Sequence, residues 1–295
     1  MSKRVLGILG GSGLYAIDGI GPLQSLDVAS PWGQVSAPLQ RGTFNGLELV
    51  FLARHGEGHR LPPSAINYRA NIDAMKRAGV TDIISISACG SFKEELEPGK
   101  FVIVDQFIDR TTNRDKSFFS ESGLVGHVSM AQPVCADLAA ALVESCADLN
   151  IPHSAGGVYI AIDGPQFSSR AESLLYKSWG CDVIGMTNMP EAKLAREAEI
   201  PYATVAMVTD YDCWREGEAA VDVASVLEVM ASNTKNAMSL ITNLTKRLGA
   251  TRIPSRQNIE RGLDFAIITA PDARDPATVK KLDAILKRFL SEQAG

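Results

Sequence analysis

Much that would place this sequence quickly is missing from it. Its five cysteines (Cys89, Cys135, Cys146, Cys181 and Cys213) are scattered, with no C-x-x-C pair and no zinc-type spacing. Neither a disulfide framework nor a metal finger is expected, and free thiols point to the cytoplasm. Only four histidines are present. The absence of H-E-x-x-H, of a G-x-S-x-G elbow and of an EF-hand loop disfavours zinc and serine hydrolases. No stretch approaches the roughly 18 uninterrupted apolar residues of a spanning helix. The short run Val5–Leu9 after Lys3-Arg4 is broken by glycines before it reaches the length of a signal sequence. A basic surplus is missing too: 29 Lys and Arg stand against 34 Asp and Glu, a net charge of −5. Nucleic acid and membrane are therefore not expected partners. A local pocket for a small anion remains open.

What is present is ordinary for a folded protein. The 295 residues are 45% apolar and 21% charged, enough to offset chain entropy. Short runs at Val5–Leu9, Leu47–Ala53, Asp82–Ala88, Phe101–Val104, Gly157–Ile162, Cys181–Ile184 and Tyr202–Val208 read as strands, several apolar throughout as in a sheet covered on both faces. Asn67–Ala78, Val134–Asp148, Ser168–Ser178 and Pro190–Ala198 read as helices. A 3.6-residue period runs from Val223 to Leu244, and Leu282–Leu290 marks a final short helix. This alternation predicts an α/β fold, a single domain with a central mixed, largely parallel sheet flanked by helices. Residues 1–248 are expected to form the catalytic domain. Residues 249–295, entered through the linker-like Gly249–Pro254, are expected to form a C-terminal appendage.

Chemistry gathers at the ends of the predicted strands, where open α/β sheets collect ligands. Gly10-Gly11-Ser12-Gly13 follows the first; its small residues suit a close backbone approach to an anion, or simply a tight turn. The acid a dinucleotide fingerprint wants on the next strand is absent from positions 28–40, and so is a Walker lysine. Arg54-His55-Gly56 and Ser87-Ala88-Cys89-Gly90-Ser91 close two more strands, and an arginine fork suits phosphate oxygens. Cys89 reads as packing, since no local feature activates it. In Gly164-Pro165-Gln166-Phe167-Ser168, Phe167 is placed to stack on a flat base or to plug the core, and Ser168 to cap a helix. Asp210 and Asp212, at i and i+2, point to one side if the chain there is extended. In a partly dry pocket such carboxyls keep a proton and act as acids.

Taken together, these segments resemble a known family. With Asn67-Tyr68-Arg69-Ala70-Asn71-Ile72 and Asp105-Gln106-Phe107-Ile108-Asp109-Arg110-Thr111-Thr112, they are similar in one order, over about residues 4–245, to the S-methyl-5′-thioadenosine phosphorylases of the trimeric purine nucleoside phosphorylase branch. The resemblance implies reversible phosphorolysis of methylthioadenosine to adenine and 5-methylthioribose 1-phosphate, with phosphate as co-substrate and no metal or organic cofactor. It implies that Ser12, Arg54, His55, Ser87, Ala88 and Thr187 hold phosphate, that Phe167 stacks near the base and that Met186 contacts the ribose. Asp210 and Asp212 would serve the purine as catalytic residues. Val223, Val226 and Leu227 would line a methylthio pocket, completed by His127 from a neighbouring subunit of a homotrimer. Periodicity alone favours plain core packing for that helix face. Asp163 and Gln166 depart from the pattern, standing where Glu and Arg are expected. Methylthioinosine or general purine nucleoside phosphorolysis is the alternative within the family. A non-catalytic nucleotide-binding protein and a dinucleotide-dependent oxidoreductase are the alternatives outside it.

Overall fold

Apolar runs form the middle of the sheet, and strands that sequence patterning does not show form its edges. The computed structural model describes residues 2–11, 13, 19–215 and 223–293. In chain order the strands are β1 (Ser2–Lys3), β2 (Val5–Gly10), β3 (Gln24–Leu26), β4 (Leu39–Phe44), β5 (Leu47–Ala53), β6 (Asp82–Ser91), β7 (Phe101–Ile103), β8 (Gln106–Asp109), β9 (His153–Ala155), β10 (Val158–Ala161), β11 (Val183–Gly185), β12 (Tyr202–Asp210) and β13 (Thr251–Arg252). The helices are α1 (Tyr68–Arg77), α2 (Ala136–Asp148), α3 (Arg170–Ser178), α4 (Asn188–Glu197), α5 (Val223–Leu248), α6 (Pro276–Lys281) and α7 (Asp283–Gln293).

Strands β2 to β12 make one mixed sheet with β6 as its trunk. β2 and β12 both pair with β6 in parallel, and the end of β6 pairs antiparallel with β11. One branch runs through β2 and β5 to β4 and β3, another through β12 to β7 and β9, and the third through β11 and β10 to β8. The parallel pairs explain why β2, β5 and β12 are buried nearly throughout: helices cover both faces. One apolar layer holds Ile72 and Met75 of α1, Leu194 and Ala195 of α4, and Leu286 and Phe289 of α7. The layer on the opposite face holds Leu138 and Leu142 of α2 with Leu240, Ile241 and Leu244 of α5.

Local signals set the helix starts. Asn67 caps α1 by accepting from the Ala70 amide at 3.0 Å. The cap of α3 is Ser169, one residue past the expected Ser168. Glu172 stands three positions after Ser169 and closes a reciprocal capping box with it. The tail is tied back at both ends. β13 pairs with β1, and Arg4 and Arg252 both reach the buried Asp82. Beyond it, Ile268 donates to the Val125 carbonyl and His127 donates to that of Ala266, which clasps the 125–127 segment.

Candidate active site

The carboxyl ends of β2, β5, β6 and β12 open into one cavity of about 590 Å³, joined by the loop after β11 and one face of α5. Of the residues expected there, it is lined by Arg54, His55, Ser87, Ala88, Phe167, Met186, Thr187, Asp210, Asp212 and Val226. Ser12 lies outside the described residues; its neighbours Gly11 and Gly13 line the cavity. Val223 and Leu227 are exposed and do not line it; on this face of α5 the lining residues are Val226, Met230 and Thr234. His127 lies elsewhere, in a small surface cavity with Arg261, Asp264 and Phe265.

At one end the cavity floor is a buried polar network. The Arg54 Nε donates to Glu191 at 2.6 Å, and its Nη2 contacts Glu191 at 2.9 Å and Ser85 Oγ at 2.6 Å. Its Nη1 donates to the Ile86 carbonyl at 3.3 Å. Of the five guanidinium donors, this leaves one Nη1–H without a protein acceptor among the described residues. Burial alone would disfavour the charge, but the Glu191 carboxylate overcomes it and holds the guanidinium pKa above its ordinary value. Tyr202 donates to Glu191 at 2.9 Å, Asn188 donates to Tyr202 at 2.8 Å, and Ser87 donates to Asn188 Oδ1 at 2.9 Å. Ser87 is thus fixed from below at the cavity wall.

His55 faces this end with its protonation fixed by geometry. Its Nδ1 lies 2.9 Å from the Leu61 carbonyl, which can only accept, so Nδ1 carries the proton. Burial first, then the nearby Arg54 and His59 charges, lower its pKa to about 4. The imidazole is therefore neutral at pH 7, with Nε2 an acceptor. Its ring stacks on His59, centroids 4.1 Å apart.

The other end carries the two carboxyls. A register shift between Val208 and Asp210 turns the end of β12 toward the cavity. Asp212 is past the strand, at φ 52°, so the pair converges through a left-handed turn and not through the expected extended alternation. The Asp212 amide donates to Asp210 Oδ1 at 2.8 Å. A Cβ at Gly90 would stand 2.8 Å from that same oxygen, so only glycine lets β6 approach. Burial raises the pKa of Asp210. Burial, with Asp210 adding to it, raises that of Asp212 to about 6. The Thr209 hydroxyl lies 3.1 Å from the Cys89 carbonyl and 2.7 Å from Asp210 Oδ2. It has one proton to give, and a protonated Oδ2 satisfies both contacts. The Ser173 and Ser168 hydroxyls and the Cys213 amide lie close to the Asp212 carboxyl and work against burial, though none makes a close hydrogen bond to Oδ2 among the described residues. Phe167 stands at this rim, 45% exposed, and so is not a core plug.

Two framework residues carry no local sequence signal. Glu191 is one. Arg114 is the other, its side chain 1% exposed. Arg114 donates to the carbonyls of Met186 (2.6 Å), Met189 (2.7 Å) and Asp163 (2.9 Å), tying the two loops that carry Met186 and Pro165 into the cavity. Asp163 is occupied in the same joint, its carboxylate accepting from the amide and hydroxyl of Thr112 at 2.9 and 2.6 Å. Among the described residues no cluster of side chains is arranged to hold a metal ion, and no helix is long and apolar enough to cross a membrane.

Comparison with known proteins gives the family of the chain. The phosphorylase superfamily matches residues 5–246. S-methyl-5′-thioadenosine phosphorylase of Bradyrhizobium diazoefficiens is 56% identical over 290 residues, spanning 98% of this chain and 99% of that protein. The crystal structure of a methylthioadenosine phosphorylase from an antarctic soil metagenomic library superposes with a TM-score of 0.91 at 42% identity, covering 97% of this chain and all of that one. Methylthioadenosine phosphorylase from Schistosoma mansoni in complex with adenine gives 0.81 at 34% identity, over 88% and 96% of the two chains. The chain belongs to the phosphorylase superfamily, within its S-methyl-5′-thioadenosine phosphorylase family.

Proposed function

We propose that this protein catalyses the reversible phosphorolysis of S-methyl-5′-thioadenosine, releasing adenine and 5-methylthioribose 1-phosphate. The carrying observation is the carboxyl pair: a buried Asp212 whose pKa is raised to about 6 in spite of the nearby Ser173 and Ser168 hydroxyls, beside an Asp210 whose burial favours its protonated form. A 6-aminopurine supplies what the pair lacks, an amine that donates and a ring nitrogen that takes a proton. In the forward reaction the C1′–N9 bond breaks and a phosphate oxygen bonds to C1′. The electron pair left on adenine is balanced by a proton at N7, delivered from Asp210. The bound anion also stabilises positive charge developing on the sugar.

Ser12, Arg54, His55, Ser87, the Ala88 amide and Thr187 bind phosphate in this reading, Phe167 covers the base and Met186 the ribose. The methylthio group meets α5 at Val226, with Val223 and Leu227 and a neighbouring subunit's His127 closing over it in a cytoplasmic homotrimer. Residues 1–248 form the catalytic domain and 249–295 an appendage clasped to it. No metal or organic cofactor takes part. The deciding experiment is turnover of methylthioadenosine, adenosine, methylthioinosine and inosine at saturating phosphate, with and without chelator. Methylthioadenosine is expected to give the highest kcat/KM, unaffected by the chelator. Asp210→Asn is expected to lower adenine-nucleoside turnover at least about tenfold. A preference for either inosine nucleoside, or equal turnover without phosphate, overturns the reading.

A further inference from the structure

The anion end of the cavity lacks uncancelled positive charge. Arg54 is matched by Glu191 at 2.6 and 2.9 Å, so the pair is neutral, and His55 is neutral near pH 7. Ser87, Ala88 and Thr187 offer hydrogen bonds but no charge. An anion leaving water for such a site is poorly compensated, since hydrogen bonds alone recover only part of its desolvation. The basic residues lining the cavity are Arg54, His55, His59 and Arg60 among the described residues. The undescribed segments hold no Lys, Arg or His, so this chain has no other cation to offer there.

Arg60 differs from the rest. It is exposed, and no carboxylate among the described residues pairs with it. Its side chain folds back over the loop that begins at His55: a Cβ on Gly56 would lie 3.1 Å from Arg60 Nε and 3.3 Å from its Cγ. Gly56, at φ 71°, makes that fold possible. The stack of His59 on His55 holds the same loop closed. From this placement and the charge count we infer that Arg60 is a further phosphate-binding residue, a clamp on the solvent side of the anion that supplies the charge Arg54 cannot. Burying Arg54 with Glu191 gives a rigid floor, and Arg60 keeps its charge uncancelled until the anion arrives. The inference rests on the phosphorolysis reading.

The test is steady-state kinetics on the full-length enzyme, varying inorganic phosphate and nucleoside separately. Arg60→Ala and Arg60→Gln are expected to raise the KM for phosphate about 5–20-fold, as for a partly solvated charge-assisted hydrogen bond. The KM for nucleoside and the thermal midpoint should stay near wild type, and Arg60→Lys should recover most of the loss. Added KCl should raise the wild-type phosphate KM through screening, with a much flatter dependence in Arg60→Gln. Phosphate KM within twofold of wild type in both neutral variants overturns the assignment. So does an equal rise in nucleoside KM, which would mark a collapsed loop, or a phosphate effect confined to His59→Gln. Wild-type enzyme without phosphate-dependent turnover overturns the phosphorolysis reading itself, a result distinct from all of these.

Discussion

At one end of the cavity Arg54, Glu191, Tyr202, Asn188 and Ser87 bond to one another in an unbroken chain, while at the other burial outweighs the nearby Ser173 and Ser168 hydroxyls and raises the pKa of the Asp212 carboxyl to about 6. The first end is held in place before any ligand binds, with one Arg54 Nη1–H left over for it. The second holds a carboxyl whose ionised form is penalised by burial, which a further donor from a ligand relieves. A satisfied buried network fixes geometry, which suits a small symmetric anion that must present one oxygen to C1′. A buried carboxyl pair with raised pKa values keeps both a proton and an acceptor in reserve, which suits a leaving group that needs the first and offers a donor to the second. Stability is invested at the anion end and withheld at the base end.

The largest test removes the brace. Glu191→Ala leaves a buried guanidinium unpaired and is expected to cost about 3–5 kcal/mol in urea denaturation. Replacing both partners by apolar residues, Arg54→Met with Glu191→Leu, should cost less than that single change, because no lone charge stays buried. A loss under about 1 kcal/mol from Glu191→Ala would show that the network does not carry the phosphate end.

Next in size is the joint behind the base end. Arg114→Met strips a donor from the carbonyls of Met186, Met189 and Asp163. Water can reach some of them, so about 2–3 kcal/mol is expected, not the sum of separate penalties. The nucleoside KM should rise more than the phosphate KM, since Arg114 holds the loops of Met186 and Pro165 and reaches the phosphate end only through Thr187, between Met186 and Met189. Equal rises in both would mean that the ends are mechanically one unit.

The same contrast governs how much the sequence reveals. Strands β2, β5 and β12 are legible because each is apolar along nearly its whole length. β4 is not: Gln40, Arg41 and Gly42 break any alternation, and it forms because β5 needs an antiparallel neighbour. Strand-end motifs bring Arg54, Ser87 and Asp210 to one place, since ligand-facing groups lie where local sequence changes from apolar to small and polar. Glu191 and Arg114 are illegible for the opposite reason. Each is a charged residue in an ordinary local context whose charge-matching or loop-tying partners are distant in sequence: Arg54 lies 137 positions from Glu191, and the Met186, Met189 and Asp163 carbonyls lie more than 45 positions from Arg114. Arg54 shows the consequence: read alone it is a free fork for phosphate, and with Glu191 present it is mostly a structural tie. Val223 and Leu227 share a helix face with Val226, but only Val226 meets the cavity within this chain.

The smallest effect, and the most diagnostic of withheld stability, is expected from Asp212→Asn. Folding raises this carboxyl from 3.8 to about 6. Between those values the folded state holds a proton that the unfolded chain has released, so wild-type stability falls as pH rises through that window and the deficit persists above it. Asparagine has no charge to desolvate, and it tolerates the φ of 52° at this turn. The variant should therefore be more stable than wild type at pH 7.5, by up to about 2 kcal/mol after allowing for partial exposure, with the gain vanishing near pH 4. Adenine-nucleoside turnover should fall in the same protein, because the carboxylate facing the amine becomes a neutral amide, a weaker acceptor with a donor of its own. Urea midpoints at the two pH values measure the first effect and the substrate panel the second. A variant no more stable than wild type at pH 7.5 would mean that Asp212 is already paid for within the fold, and the two ends of the cavity would then differ in shape but not in energetic design.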